Sequence, residues 1–144
     1  MKNEIEITTT VEKGHVDEAR LTDLINWILV DEKCSESWHI SIIFVDDGFI
    51  IELNKKFLQK SGPTDVISFN LTDSSEQPEG EVYISIDTAK KNAQEYNAEL
   101  KNELYRLTAH GVYHLLDYDD ATQSQRDAMT QLENKALEYV QSTL

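Results

Sequence analysis

The chain has 144 residues, 40% of them hydrophobic, and its 27 acidic against 13 basic side chains leave a formal charge of -14. That length suits one domain over 1–144 with a real core, and the acidic balance excludes a general polyanion-binding surface, so any RNA contact must come from a local basic cluster or a bound metal. A single cysteine, Cys34, excludes an internal disulfide framework; with no signal-peptide pattern and no apolar run of membrane-spanning length, the expectation is a soluble cytoplasmic protein.

In chain order, Ile5 and Ile7 alternate with Glu4, Glu6 and Thr8, the period of a half-buried strand that runs to about Val11 and is broken by Gly14. His15 has no neighbouring ligand type and reads as a surface or capping residue. Asp17 can cap a helix over 18–30, in which Leu21, Leu24, Ile25, Ile28 and Leu29 form an apolar stripe. Trp38 to Val45 is rich in β-branched and aromatic residues and predicts a buried strand, with His39 a packed or hydrogen-bonded residue within it. Asp46 or Asp47 begins a helix over 48–58, buried through Ile50, Ile51, Leu53, Phe57 and Leu58. Lys55, Lys56 and Lys60 are the strongest basic cluster in the chain; they read either as a solvated helix end favoured by its dipole or as an RNA contact.

Ser61 to Asp65 is a turn, since Gly62 supplies backbone freedom and Pro63 forbids helix. Strands are predicted over Val66–Leu71 and Gly80–Asp87, joined across the polar segment 72–79 as a long-looped hairpin. Asp87 or Thr88 caps a helix from Ala89 to about Tyr96, Asn97 interrupts, and a longer helix covers 98–116. Thr122 and Gln125 form a capping-box pattern ahead of a last helix to Gln141, which packs through Met129, Leu132, Ala136, Leu137 and Val140. The sum is an α+β fold: a small mixed sheet of about four strands with about five helices, mainly on one face.

Chemistry concentrates in Leu107 to Thr122, LTAHGVYHLLDYDDAT. His110 and His114 stand four residues apart, so on a helix both rings can reach one ion. Asp117, Asp119 and Asp120 come next as oxygen donors on a loop. Two imidazoles, one further ligand and an open position for water make a hydrolytic zinc site. A zinc-protease mechanism is not supported, because Gly111 stands where those enzymes place a general-base Glu. On spacing alone, a metal site and a structural histidine pair both remain open.

The run HGVYHLLDYDD resembles the HGxLHLxGYDH signature of the YbeY family, bacterial endoribonucleases associated with ribosomal RNA maturation. Pro63 to Phe69, PTDVISF, is similar to that family's TDVLSF, GEVYISID resembles its GDIxIS strand, and Leu53-Asn54 fits the LN that precedes the turn. These matches fall in the family's order over about Ile40 to Met129. The resemblance implies a zincin-like metal-dependent hydrolase fold with one divalent ion, zinc foremost, and no organic cofactor. The implied ligands are His110, His114 and Asp120, the last replacing a third histidine, with Asp117 and Asp119 as competitors. A carboxylate in that place should make the ion less electrophilic than three imidazoles would.

The implied activity is single-strand-directed cleavage of small-subunit (16S) ribosomal RNA in 3′-end maturation and ribosome quality control, with the small ribosomal subunit as partner. Thr64, Asp65 and Ser68 either line the cleft or serve only the turn and the solvent face. Asp117 replaces the family's Gly, and Leu58 aligns with an Arg common in the family; Lys55, Lys56 or Lys60 can replace the charge of that arginine but not its planar fork. Two other functions stay open: a ribosome-associated binding protein with a structural metal, and a metal-dependent hydrolase of another substrate.

Overall fold

The computed structural model describes residues 2–11, 16–73 and 77–142. Gly14 and His15, whose sequence reading is a strand break and a surface or capping residue, lie outside the described residues, as does the middle of the 72–79 loop. The elements are β1 (Glu4–Thr9), α1 (Glu18–Asp31), β2 (His39–Val45), α2 (Asp47–Leu58), β3 (Val66–Asn70), β4 (Glu79–Ser85), α3 (Ile86–Glu95), α4 (Leu100–Leu115) and α5 (Gln123–Ser142). No helix among the described residues is long and apolar enough to cross a membrane.

The sheet has the order β1-β2-β4-β3. β1 and β4 flank β2 in parallel, and β3 closes the edge antiparallel to β4, with Ser68 opposite Val82 and Asn70 opposite Gly80. The two-residue period of β2 sends Ile40, Ile42 and Phe44 into the main core and leaves Ile43 and Val45 on the other face. That main core is closed by the apolar stripes of α1, α4 and α5 and by Ile86 and Ala89 of α3. α2 alone packs opposite, in a smaller cluster of Val45, Ile50 and Ile67. The fold is therefore the expected α+β arrangement, a mixed four-stranded sheet with most of its helices on one face.

Several helix starts obey local capping chemistry. Asp17 accepts from the Arg20 amide and Asp46 from the Phe49 amide. The capping box is complete: Gln125 Oε1 accepts from the Thr122 amide at 3.0 Å, and Thr122 Oγ1 accepts from the Gln125 amide at 3.1 Å. α3 departs from expectation. It starts at Ile86 with Ser85 as its cap, because the side chains of Asp87 and Thr88 are drawn to Asp47, accepting from its amide and donating to its carboxylate respectively.

α4 occupies the centre. Ten of its sixteen residues are buried, so it contacts α1, α3 and α5 as well as β3 and β4. It lies close on the sheet because of Gly111, where a Cβ would meet Val82 Cγ1 at 2.4 Å and Ser68 Oγ at 3.2 Å. The glycine that displaces a zinc-protease glutamate is thus a packing requirement, as that position faces the sheet and not a cleft.

Candidate metal centre

The i, i+4 spacing places His110 and His114 one turn apart on the edge of α4 that escapes burial, with their rings edge to face at 4.6 Å. Their Nε2 atoms converge to 3.0 Å. Two imidazole nitrogens at that separation either share one proton or turn both lone pairs to a common electrophile.

The reversal of the chain beyond the helix decides the third group. α4 ends at Leu115, and Asp117 adopts a left-handed φ of 74°. The Asp117 amide donates to the His114 carbonyl at 3.0 Å and the Tyr118 amide to the Tyr113 carbonyl at 3.1 Å. These are the two bonds of a Schellman motif, and the Tyr118 ring packs edge-on against Tyr113 at 5.7 Å as its apolar contact. Asp117 thus does the turning that glycine does in the family signature. The turn brings Asp120 Oδ2 to 3.4 Å from both Nε2 atoms. Asp117 and Asp119 are exposed and outside this group.

The three atoms form a triangle with edges of 3.0, 3.4 and 3.4 Å. Ligands at about 2.0–2.1 Å from a tetrahedral ion are separated by about 3.3–3.4 Å. The donor set, two neutral imidazoles and one carboxylate, also suits a zinc-like ion with a position left open. His110, His114 and Asp120 therefore fit such an ion in both geometry and chemistry.

A fourth residue was missed at the level of sequence. Glu133 Oε2 lies 2.6 Å from His110 Nδ1, and Glu133 Oε1 accepts from Arg106 Nη1 at 2.9 Å. The Glu133 carboxylate accepts the Nδ1 proton of His110, which leaves the Nε2 lone pair facing the triad. Burial of the His110 ring lowers its affinity for protons, but the hydrogen bond and charge of Glu133, with Asp120 and Asp65, outweigh it and hold the His110 pKa above its ordinary value. The sequence carried one signal: Glu133 sits four residues after Met129 and three before Ala136, a charge inside an apolar stripe.

On the β3 side the triad opens into a cleft of about 460 Å³. Lys60, Thr64, Asp65 and Ser68 line it together with His110, His114 and Asp120. Lys55 and Lys56 do not; they lie in the last turn of α2, where Lys56 sits 5.3 Å over the Phe57 ring. The separation arises at Gln59, whose left-handed conformation caps α2 and sends Lys60 off the helix axis. Ser68 is half-buried, and its Oγ donates to the Gly111 carbonyl at 2.9 Å and ties β3 to α4. Asp65 accepts from Asn92 at 3.2 Å, and its carbonyl accepts from the Ser85 amide at 2.9 Å. Buried Asn54 donates to the Gly62 carbonyl at 3.1 Å, which pins the turn leading into this strand. Leu58 lines the same cleft, partly exposed. His39 lies elsewhere, between Glu6 and Glu79 on the sheet.

The family model described as Endoribonuclease YbeY matches residues 6–141. Relatives named Endoribonuclease YbeY include one from Chloroherpeton thalassium, 42% identical over 91% of this chain and 91% of its own. Another, from Treponema denticola, is 34% identical over 95% of this chain and 93% of its own. The solution structure of a Thermotoga maritima protein superposes with a TM-score of 0.66 at 28% identity, covering 96% of this chain and 90% of that one. The chain belongs to the YbeY endoribonuclease family.

Proposed function

We propose that this protein is a metal-dependent, single-strand-directed endoribonuclease that acts in the cytoplasm on small-subunit ribosomal RNA during 3′-end maturation and ribosome quality control. Its single domain holds one divalent ion, zinc foremost, through His110, His114 and Asp120. The observation that carries this reading is the convergence of three ligand atoms with edges of 3.0–3.4 Å at the mouth of a polar cleft. When bound, the ion supplies electrophilic polarisation of a phosphoryl oxygen and acidification of a water molecule. Everything else falls to the chain. Glu133 keeps the His110 proton on Nδ1, Asp120 closes the triad, and the short α4–sheet distance set by Gly111 and Ser68 fixes both imidazoles against the cleft. Lys60 offers a phosphate its charge, and Thr64 and Asp65 present a hydroxyl and a carboxylate beside it.

The test is metal analysis of the purified protein, then cleavage of a single-stranded RNA by wild type and His114→Ala. The variant should lose both the metal and the cleavage; equal cleavage by the two would sink the reading. A second reading, a ribosome-associated binding protein with a structural metal, is favoured by Leu58 at the position of the family's arginine and by the -14 charge. A wild-type protein that retains metal yet cuts no RNA would select it.

A further inference from the structure

The chain has three arginines, Arg20, Arg106 and Arg126. Arg20 pairs with Asp17 at 3.4 Å and Arg106 with Glu133 at 2.9 Å. Arg126 has no carboxylate partner among the described residues, although the protein carries 27 acidic side chains and Asp127 is its neighbour. Asp127 is instead engaged by Gln123 at 2.8 Å. The Arg126 guanidinium is held by neutral acceptors: its Nη1 donates to the carbonyls of Asp120 at 3.4 Å and Ala121 at 3.1 Å, and its Nη2 to Gln123 Oε1 at 3.3 Å. Its Nε–H has no hydrogen-bond acceptor among the described residues. The residue also sits near the N-terminus of α5, where the helix dipole disfavours a cation. A guanidinium with no ion-pair partner among the described residues, fixed by the loop that carries Asp120, is a charge prepared for an anion from outside the protein.

Arg126 lines a cleft of about 770 Å³ that reaches the triad from the α5 side and shares His110, Asp120 and Asp65 with the cleft on the β3 side. The same cleft is lined by Tyr96, the C-terminal cap of α3, a residue 73% exposed that stacks on no other aromatic among the described residues. An exposed aromatic ring and a guanidinium with no ion-pair partner among the described residues, lining one cleft that ends on the candidate metal site, match what unpaired RNA offers: a base for the ring and a phosphate for the cation. We propose that this second cleft binds the unpaired nucleotides next to the bond that is cut, with Arg126 on a phosphate and Tyr96 stacked on a base. The inference rests on the proposed RNA-cleaving function and adds to it the strand's path on the α5 side.

The experiment measures binding of a short labelled single-stranded oligoribonucleotide to metal-loaded wild type, Tyr96→Ala, Tyr96→Trp, Arg126→Gln and Arg126→Lys. Anisotropy is read in stopped flow, before cleavage, across a salt series. Tyr96→Ala should weaken binding about fivefold to a hundredfold, with Tyr96→Trp near wild type and duplex binding unaffected. Arg126→Gln should reduce the slope of log K against log salt by about 0.7, one single-strand phosphate contact, and Arg126→Lys should restore it. Metal content and thermal melting must match wild type. If wild type binds and cuts RNA but all four variants match it, the second cleft is not on the strand's path and only this inference falls. Loss of metal in Arg126→Gln would make Arg126 a support of the Asp120 loop and overturn its assignment to a phosphate. Failure of wild type to bind or cut single-stranded RNA overturns both readings together.

Discussion

Glu133→Gln isolates the residue behind the candidate metal centre. Glu133 is buried, its Oε2 is 2.6 Å from His110 Nδ1, and its Oε1 binds Arg106 at 2.9 Å. Glutamine keeps the size and one acceptor oxygen but removes the charge that holds the Nδ1 proton in place. It also presents an NH₂ group to either His110 or Arg106, both of which donate. Loss of such an outer carboxylate typically weakens metal affinity about 10–100-fold, or roughly 1.4–2.7 kcal/mol. The stability cost should be smaller, about 1 kcal/mol or less, because the Arg106 side chain is 31% exposed and water screens its unpaired charge. Competition against a chelator of known affinity reads the first quantity and urea denaturation of the metal-free protein the second. An affinity within about twofold of wild type would refute the reasoning and reduce Glu133 to a partner of Arg106.

The packing sets three further outcomes. Gly111→Ala drives a methyl into Val82, which is fully buried and β-branched; overpacking of about 1–3 kcal/mol, offset by about 1 kcal/mol of helix propensity, should lower the melting temperature by a few degrees. Adding Val82→Ala removes the struck methyls, so strictly additive losses in the double variant would argue against the close approach. Burial, reinforced by Asp65 and Glu133 against the opposing Asn92 and Arg106, holds the Glu103 pKa above its ordinary 4.5. A raised folded pKa means that the folded state binds the proton more tightly, so this contribution is full below about pH 4.5 and is lost as pH rises through the folded value. Glu103→Gln should therefore raise the urea midpoint at pH 7 and flatten its decline above pH 4.5; an unchanged profile would remove Glu103 from the account. Tyr113 is fully buried with no hydrogen-bond partner for its hydroxyl among the described residues, so Tyr113→Phe should stabilise by about 1–2 kcal/mol, and a loss of stability on calorimetry would reveal a partner for that group.

The fold and the core of the site rest on contacts of different range. The two-residue period of Ile40, Ile42 and Phe44, the stripe from Leu21 to Leu29, the caps at Asp17 and Asp46 and the Thr122–Gln125 box all act within a few residues, so the sequence alone determined them. The same is true of His110 over His114, because helical geometry stacks residues four apart whatever surrounds them. The left-handed Asp117 is a local matter too, and through it the chain returns Asp120 to the histidines.

Tertiary structure decided what depends on groups distant in sequence. Glu133 reaches His110 across 23 residues, and Ser68 finds the Gly111 carbonyl across 43. Asp87 and Thr88 leave their expected capping role for Asp47, about 40 residues away. Of three lysines in one basic cluster only Lys60 meets the β3-side cleft, because the turn at Gln59 separates it from the other two. Arg126 and Tyr96 come to face one cleft only when α5 docks beside α4. A side chain's local propensity is written in its neighbours along the chain. The partner that satisfies its charge or hydrogen bond is chosen by packing, and packing here set a carboxylate behind His110 and left one arginine without a carboxylate among the described residues.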